Sequence, residues 1–344
     1  MPLAIRENVL LAPLTTFGIG GAARYLAEIK SETNIPEALA FAAERGLPTF
    51  ILGGGSNLLV PDTGYPGLVL RMQISGITQH KSTFLAGAGV VWDDFVNHTL
   101  AANFAGVECM AGIPGFVGGT PVQNVGAYGQ EVSETITQVR AFDRTNSTFV
   151  DLPHDACRFR YRASLFNTDA PNRYIVTQVS FTLRPNGAPT LKYADLQRHF
   201  AHHPKPTLIE VAAAVREIRR SKGMLLVDGD PDTRSAGSFF KNPIVPAETL
   251  ARAAQSSGLP IEKVPHWPAG EGKIKLPAAW LLEHAGFVKG YGEGPVGISS
   301  RHTLALVNRG HASFADVERL QQQIISTVKE KFGIELEREP VLLA

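Results

Sequence analysis

AGIPGFVGGTPVQNVGAYG, residues 111–129, is the stretch on which the reading of the fold turns. Six of its nineteen residues are glycine, two are proline, and none carries a charge. A flexible linker is also glycine-rich, but it is padded with serine and other polar residues. Here the filling is Ile113, Phe116, Val117, Val122, Val125 and Tyr128. So apolar a segment is packed, with backbone where side chains ordinarily stand. Glycine permits positive φ and lets another group approach the main chain closely. An uncharged cradle of backbone N–H groups suits a large ligand with a flat ring and a phosphate. A shorter run would read as tight turns in a buried loop; at this length it predicts a cofactor site.

A second glycine segment lies upstream. The strand-like residues 49–52 run into Gly53-Gly54-Gly55-Ser56-Asn57, whose consecutive N–H groups can form an anion nest. No Gly-Lys-Ser/Thr follows, so this is not a P-loop, and Leu58-Leu59-Val60 continues as strand where a Rossmann turn needs a helix. The one literal G-x-G-x-x-A match, residues 18–23, follows Pro13-Leu14-Thr15-Thr16 rather than a buried strand and reads as chance. Two separate glycine cradles fit a dinucleotide held outside a Rossmann fold.

Composition bounds the rest. A chain of 344 residues predicts two or three domains at the usual ~150 residues each. A net charge of +1 provides no global field for nucleic acid or membrane. The first twenty residues hold no signal-peptide core, and no window approaches the ~18 apolar residues of a membrane span. Cys109 and Cys157 make neither a metal spacing nor a disulfide framework. The expectation is a reduced, cytoplasmic, soluble protein without a metal.

Along the chain, residues 24–30, 49–52, 58–60 and 67–72 read as strands, with a helix opening at Asn34-Ile35-Pro36-Glu37 and stopped by Gly46. A second unit begins near Thr83 with a strand, a helix over 92–103 and the organising stretch. Strands follow at 136–142, 148–152 and 174–184. Pro185-Asn186-Gly187 and His202–Pro206 bracket a connector, and Thr207 with Glu210 forms a capping box for a helix from Leu208 to about Ser221. The third unit has helices near 247–257, 278–285 and 315–332 and a strand at 303–307.

Three polar constellations carry possible chemistry. Arg158-Phe159-Arg160-Tyr161-Arg162 packs arginines and aromatics together and reads by itself as a solvated basic turn. Ser238 stands beside Phe239 and Phe240, with Lys241 and Asn242 behind, and is structural or functional. Glu335, Glu337 and Glu339 read by themselves as one exposed, alternating strand face. Arg216, Arg219, Arg220 and Lys222 crowd a helix end. There they stabilise the helix dipole by ~0.3–1 kcal/mol or form a diphosphate or carboxylate site.

With AGIPGFVGGTPVQNVGAYG, GGGSN, CRFRYRASLF and AGSFFKNP standing in order, the sequence resembles the UDP-N-acetylenolpyruvoylglucosamine reductase family from Thr16 to Glu339. The resemblance implies an α+β chain: a non-covalent FAD-binding fold of the vanillyl-alcohol-oxidase (PCMH) type in two subdomains, 1–72 and 73–210, with the PCMH-type region at about 16–187. An α/β substrate-binding domain at 211–333 and a tail, 334–344, returning to the active site would follow. It implies FAD contacts from Gly53, Gly54, Gly55, Ser56, Asn57, Gly112, Ile113, Pro114, Gly115, Gly118, Gly119, Gln123, Asn124, Gly126, Ala127, Tyr128 and Arg219. It implies a catalytic triad of Arg162, Ser238 and Glu339, and substrate contacts from Tyr193, Lys222, Asn242 and Lys289, with Tyr193 on a mobile loop over the UDP moiety. NADPH is the implied reductant, UDP-N-acetylglucosamine enolpyruvate the substrate, and the protein a monomer.

The family usually ends Leu-Glu-Pro-Glu-Val-Arg, whereas this chain reads Leu336-Glu337-Arg338-Glu339-Pro340-Val341. The register of the terminal glutamate is therefore open between Glu337 and Glu339. An oxygen-using flavin oxidase and a non-catalytic flavin binder are the competing functions, separable by what reoxidises the reduced flavin.

Overall fold

The computed structural model describes residues 3–343, which pack as two units. The first comprises residues up to Val9, Ala23–Gly55 and Pro66–Ser221; the second comprises Leu10–Ala22, Ser56–Tyr65 and the chain from Lys222 onward.

Two sheets shape the first unit. One has the strand order Ile5–Leu10, Ala22–Ile29, Tyr65–Met72, Thr49–Leu52, with the last two parallel. These two strands are connected by residues 53–64, which carry the Gly53–Gly55 turn and the short strand Leu58–Leu59, while the helix Asn34–Glu44 joins Ala22–Ile29 to Thr49–Leu52. The other sheet is antiparallel, in the order Thr148–Pro153, Ile136–Asp143, Tyr174–Thr182, Thr83–Gly87, Ile77–His80. The helix Trp92–Ala101 buries Trp92, Phe95, Val96, Thr99 and Leu100, the i, i+3, i+4, i+7, i+8 stripe of an amphipathic helix. Its Phe95 ring packs 4.6 Å from that of Phe181 on the sheet.

The helix Leu208–Ser221 starts as its sequence predicts. The Glu210 carboxylate accepts from the Thr207 N–H at 2.7 Å, and Thr207 Oγ1 accepts from the Glu210 N–H at 3.3 Å. Val211, Ala212 and Val215 bury its apolar face in the first unit's core, so the whole helix belongs there. The expected boundary at residue 210 cuts through it. Residues 186–206, expected as a connector, contain a further short helix, Ala194–His199.

The second unit carries the helices Thr249–Ser257, Ala278–His284 and Phe314–Phe332. It also has a small sheet ordered Ile244–Pro246, Lys273–Lys275, Trp267–Pro268 and a hairpin of Val296–Ile298 with Leu306–Asn308. The strand expected at 303–307 thus falls later. The chain end is no free tail: Ile334, Leu336 and Leu343 are buried, and Val341–Leu342 runs parallel to Leu58–Leu59. The expected domain limits at residues 1 and 344 lie outside the described residues. The glycines of the chance G-x-G-x-x-A match do a packing job in this unit. A Cβ on Gly20, whose φ is +111°, would stand 2.3 Å from that of Val60. Among the described residues no helix is long and apolar enough to cross a membrane.

Candidate functional site

In the first unit the two glycine segments meet backbone to backbone. A Cβ built on Gly54 would fall 2.7 Å from the Gly115 Cα, so the Gly53–Gly55 turn tolerates no side chain at that crossing. Gly55, Gly112 and Gly115 have φ of 65°, 71° and 122°, the left-handed region that glycine enters without steric cost. Gly118 sits against the Ala88 Cβ and donates its N–H to the Ala88 carbonyl at 2.9 Å. At Gly53 and Gly119, in contrast, a Cβ would meet nothing within 4 Å. The cradle is thus close-packed on one side and open at these two residues.

Gly112 is gripped at both ends of its peptide. Its N–H donates to Asp93 Oδ1 at 2.7 Å, and its carbonyl accepts from Arg219 Nε at 3.1 Å. Arg216 donates to the same Asp93 oxygen at 2.8 Å. Burial pulls the Arg219 guanidinium below its ordinary range, with Tyr128 and Asp93 opposing that drift. Arg219 therefore fastens the loop through its backbone, and Asp93 and Arg216 join it. Asp93 is a functional candidate that sequence reasoning missed, because it looks like an ordinary first-turn acid and its partners lie far along the chain; Arg216, named among the cations at the helix end, is its ion-pair partner.

Arg162 stands on a tight turn closed by the Arg160 N–H on the Ala163 carbonyl (2.9 Å) and the return bond (3.1 Å). Its φ is 55°, and Nη2 donates to the Gly126 carbonyl at 3.2 Å. The following Ser164 explains the rest of the motif: its hydroxyl donates to the Val122 carbonyl at 2.6 Å and caps the turn with Asn167. The basic motif is thereby tied to the glycine-rich stretch. Asn124 is buried and fastens the same region. Its amide donates to Glu131 at 2.8 Å and to the Arg160 carbonyl at 3.1 Å, and its oxygen accepts from the Ser133 N–H. Gly126 and Ala127 form a short strand, Tyr128 has φ 48°, and its ring meets the Tyr193 ring edge-on at 5.2 Å.

In the second unit the chain end runs antiparallel beside the serine motif. The Glu339 N–H donates to the Phe239 carbonyl at 2.9 Å, and the Lys241 N–H donates to the Glu337 carbonyl at 2.9 Å. Asn57 flanks the same residue: its amide reaches the Glu339 carbonyl at 3.4 Å, and its own carbonyl accepts from the Val341 N–H at 3.0 Å. Ser238, Glu339 and Asn57 are thus gathered by backbone pairing. Glu337 is exposed in an ion pair with Lys241, and Glu335 is exposed in one with Lys329 at 2.8 Å. Glu339 is half-buried. Asn242 Oδ1 accepts from the Ala278 N–H at 2.9 Å, capping the helix Ala278–His284; Lys222 is half-buried, and Lys289 is exposed.

Comparison with known proteins decides the family. A family model described as the C-terminal domain of UDP-N-acetylenolpyruvoylglucosamine reductase matches residues 230–343, and an FAD binding domain model matches residues 23–152. Proteins named UDP-N-acetylenolpyruvoylglucosamine reductase from Streptomyces coelicolor and Thermobifida fusca are 45% and 42% identical. The first alignment covers 99% of this chain and 90% of the relative; the second covers 100% and 99%. The chain belongs to the UDP-N-acetylenolpyruvoylglucosamine reductase family. A crystal structure of the reductase of that name from Thermus caldophilus shares the fold at a TM-score of 0.69, with 26% identity and full coverage of both chains.

The cofactor of this reductase family member is FAD. The matched FAD binding domain spans both glycine cradles, and the geometry fits such a group. The charge-free main chain of residues 111–129 meets the Gly53–Gly55 turn. Positions 53 and 119 leave open space where a side chain would intrude on a ligand.

Proposed function

We propose that the protein reduces the enolpyruvyl double bond of UDP-N-acetylglucosamine enolpyruvate with NADPH, giving UDP-N-acetylmuramate for peptidoglycan synthesis. The observation that carries the site assignment is the pairing of the Glu339 N–H with the Phe239 carbonyl, which puts the terminal glutamate next to Ser238. The Gly53–Gly55 turn and the 112–128 backbone would hold FAD, which would supply the hydride chemistry between NADPH and substrate when bound.

The protein's own residues handle the charge and the proton. Hydride addition to the methylene carbon drives negative charge toward the carboxylate, and Arg162 and Glu339, the latter protonated or sharing a proton, stabilise it. Fixed donors of this kind contribute ~3–4 kcal/mol each to the transition state. Ser238 delivers the proton to the α-carbon, with Lys222 as the cation that favours its alkoxide. Tyr193 lies over the UDP moiety. Asn242 and Lys289 remain substrate contacts in this reading, Asn242 in addition to its capping bond. In this reading the protein is a cytoplasmic monomer, acting where its UDP-sugar and NADPH substrates occur.

Incubation of the protein with NADPH and the enolpyruvyl substrate should yield UDP-N-acetylmuramate by mass spectrometry. Ser238→Ala should slow its formation by ~10²–10⁴-fold. NADPH oxidation with no change in the UDP-sugar mass would refute the reading.

A further inference from the structure

Glu108 lies outside every motif used so far, yet its side chain is completely buried. A buried carboxylate is costly unless hydrogen bonds replace its water. Three do. Glu108 Oε2 accepts from the Gly106 N–H at 2.7 Å, and Oε1 accepts from Gln130 Nε2 and from the Thr190 N–H, both at 2.8 Å.

All three polar groups of Thr190 are held by this cluster. Its N–H goes to Glu108, its hydroxyl accepts from Gln130 Nε2 at 3.2 Å, and its carbonyl accepts from the Cys109 thiol at 3.1 Å. Gln130 completes the network by accepting from the Cys109 N–H at 2.8 Å. Burial, with Glu108 and Glu134 adding to it, pushes the Cys109 thiol well up, so it stays protonated and able to donate. Beyond Thr190 the chain stays in contact with the cradle. A Cβ on Gly129 would lie 3.2 Å from that of Lys192, and the Tyr193 ring meets Tyr128. Tyr193 then begins the helix Ala194–His199 and is 43% exposed.

We propose that Glu108, with Gln130 and Cys109, is a positioning cluster that pins the loop at Thr190 and so fixes where Tyr193 presents its ring to the UDP moiety. The loop is anchored at its start rather than mobile along its whole length, and Glu108 acts on substrate only through Tyr193. This rests on the reductase reading above.

Glu108→Gln turns one carboxylate oxygen into an NH₂ facing the N–H donors of Gly106, Thr190 or Gln130. It should raise the KM for UDP-N-acetylglucosamine enolpyruvate about tenfold, the scale of one lost charge-assisted hydrogen bond. FAD content and the rate of flavin reduction by NADPH should be unchanged. In a Tyr193→Ala background the same substitution should raise KM no further, because the residue through which it acts is gone. Thr190→Val, which loses only the hydroxyl bond, serves if Glu108→Gln does not accumulate as folded protein. It should raise KM about threefold with the same dependence on Tyr193. Effects that add fully to those of Tyr193→Ala, or that slow both half-reactions alike, overturn the proposal. Wild-type protein that cannot reduce the substrate refutes the reductase reading instead.

Discussion

Glu335, Glu337 and Glu339 alternate along one short run, yet they end in different surroundings. The first two are exposed and paired with Lys329 and Lys241, while Glu339 is half-buried and joined to Phe239. Exposed pairs contribute ~0–1 kcal/mol. Glu337→Gln should therefore leave both half-reactions near the wild-type rates in rapid-mixing experiments. Glu339→Gln should cripple substrate reduction while FAD binding and flavin reduction by NADPH survive. If Glu337→Gln is the more damaging, the carboxylate belongs at 337. The sequence left this choice open for a physical reason. Residues two apart share a strand face, and what separates these glutamates is the antiparallel contact with 239–241, a partner roughly a hundred positions away that no local pattern displays. Asp93 escaped for the same reason, since its bonds to Gly112 and Arg216 span 19 and 123 positions.

The glycine cradle behaves as an element in its own right. Gly54→Ala would drive a methyl to 2.7 Å from the Gly115 Cα, and the obstacle is backbone that cannot rotate away. The variant should purify with little FAD and a lowered Tm; full yellow occupancy at wild-type stability would show that the two segments do not need their contact. For the loop, Tyr193→Phe should raise the substrate KM and leave flavin reduction by NADPH unchanged, because a loop contact affects binding rather than the half-reaction it does not touch. Equal damage to both would make Tyr193 part of the flavin domain's framework. Long elements were readable in advance because each buries a periodic face: the helix from Trp92 and the capped helix from Leu208 fall where expected. Most two- and three-residue strands, such as Lys273–Lys275, Trp267–Pro268 and Val341–Leu342, were less so. A strand that short has too few residues for alternation to register.

At the scale of the whole molecule, each unit is assembled from separate pieces of chain. Residues Leu10–Ala22 and Ser56–Tyr65 belong to the second unit although the segments on either side of them belong to the first. A reading that moves along the chain expects contiguous domains, so it placed both pieces in a flavin subdomain and cut the helix Leu208–Ser221 at its third residue. The cofactor was legible because a long, charge-free, glycine-rich run has few other uses; the weave was not, because Phe17, Ile19 and Leu59 look like any core residues until their partners near the other end of the sequence are known. The central claim is that the reduced flavin of this protein gives its electrons to an enolpyruvyl UDP-sugar. The most direct test is to reduce the protein with NADPH without oxygen, then mix it rapidly with either UDP-N-acetylglucosamine enolpyruvate or dissolved oxygen and follow the flavin absorbance. The account predicts fast reoxidation by the UDP-sugar and slow reoxidation by oxygen. Fast reoxidation by oxygen with none by the UDP-sugar would contradict it.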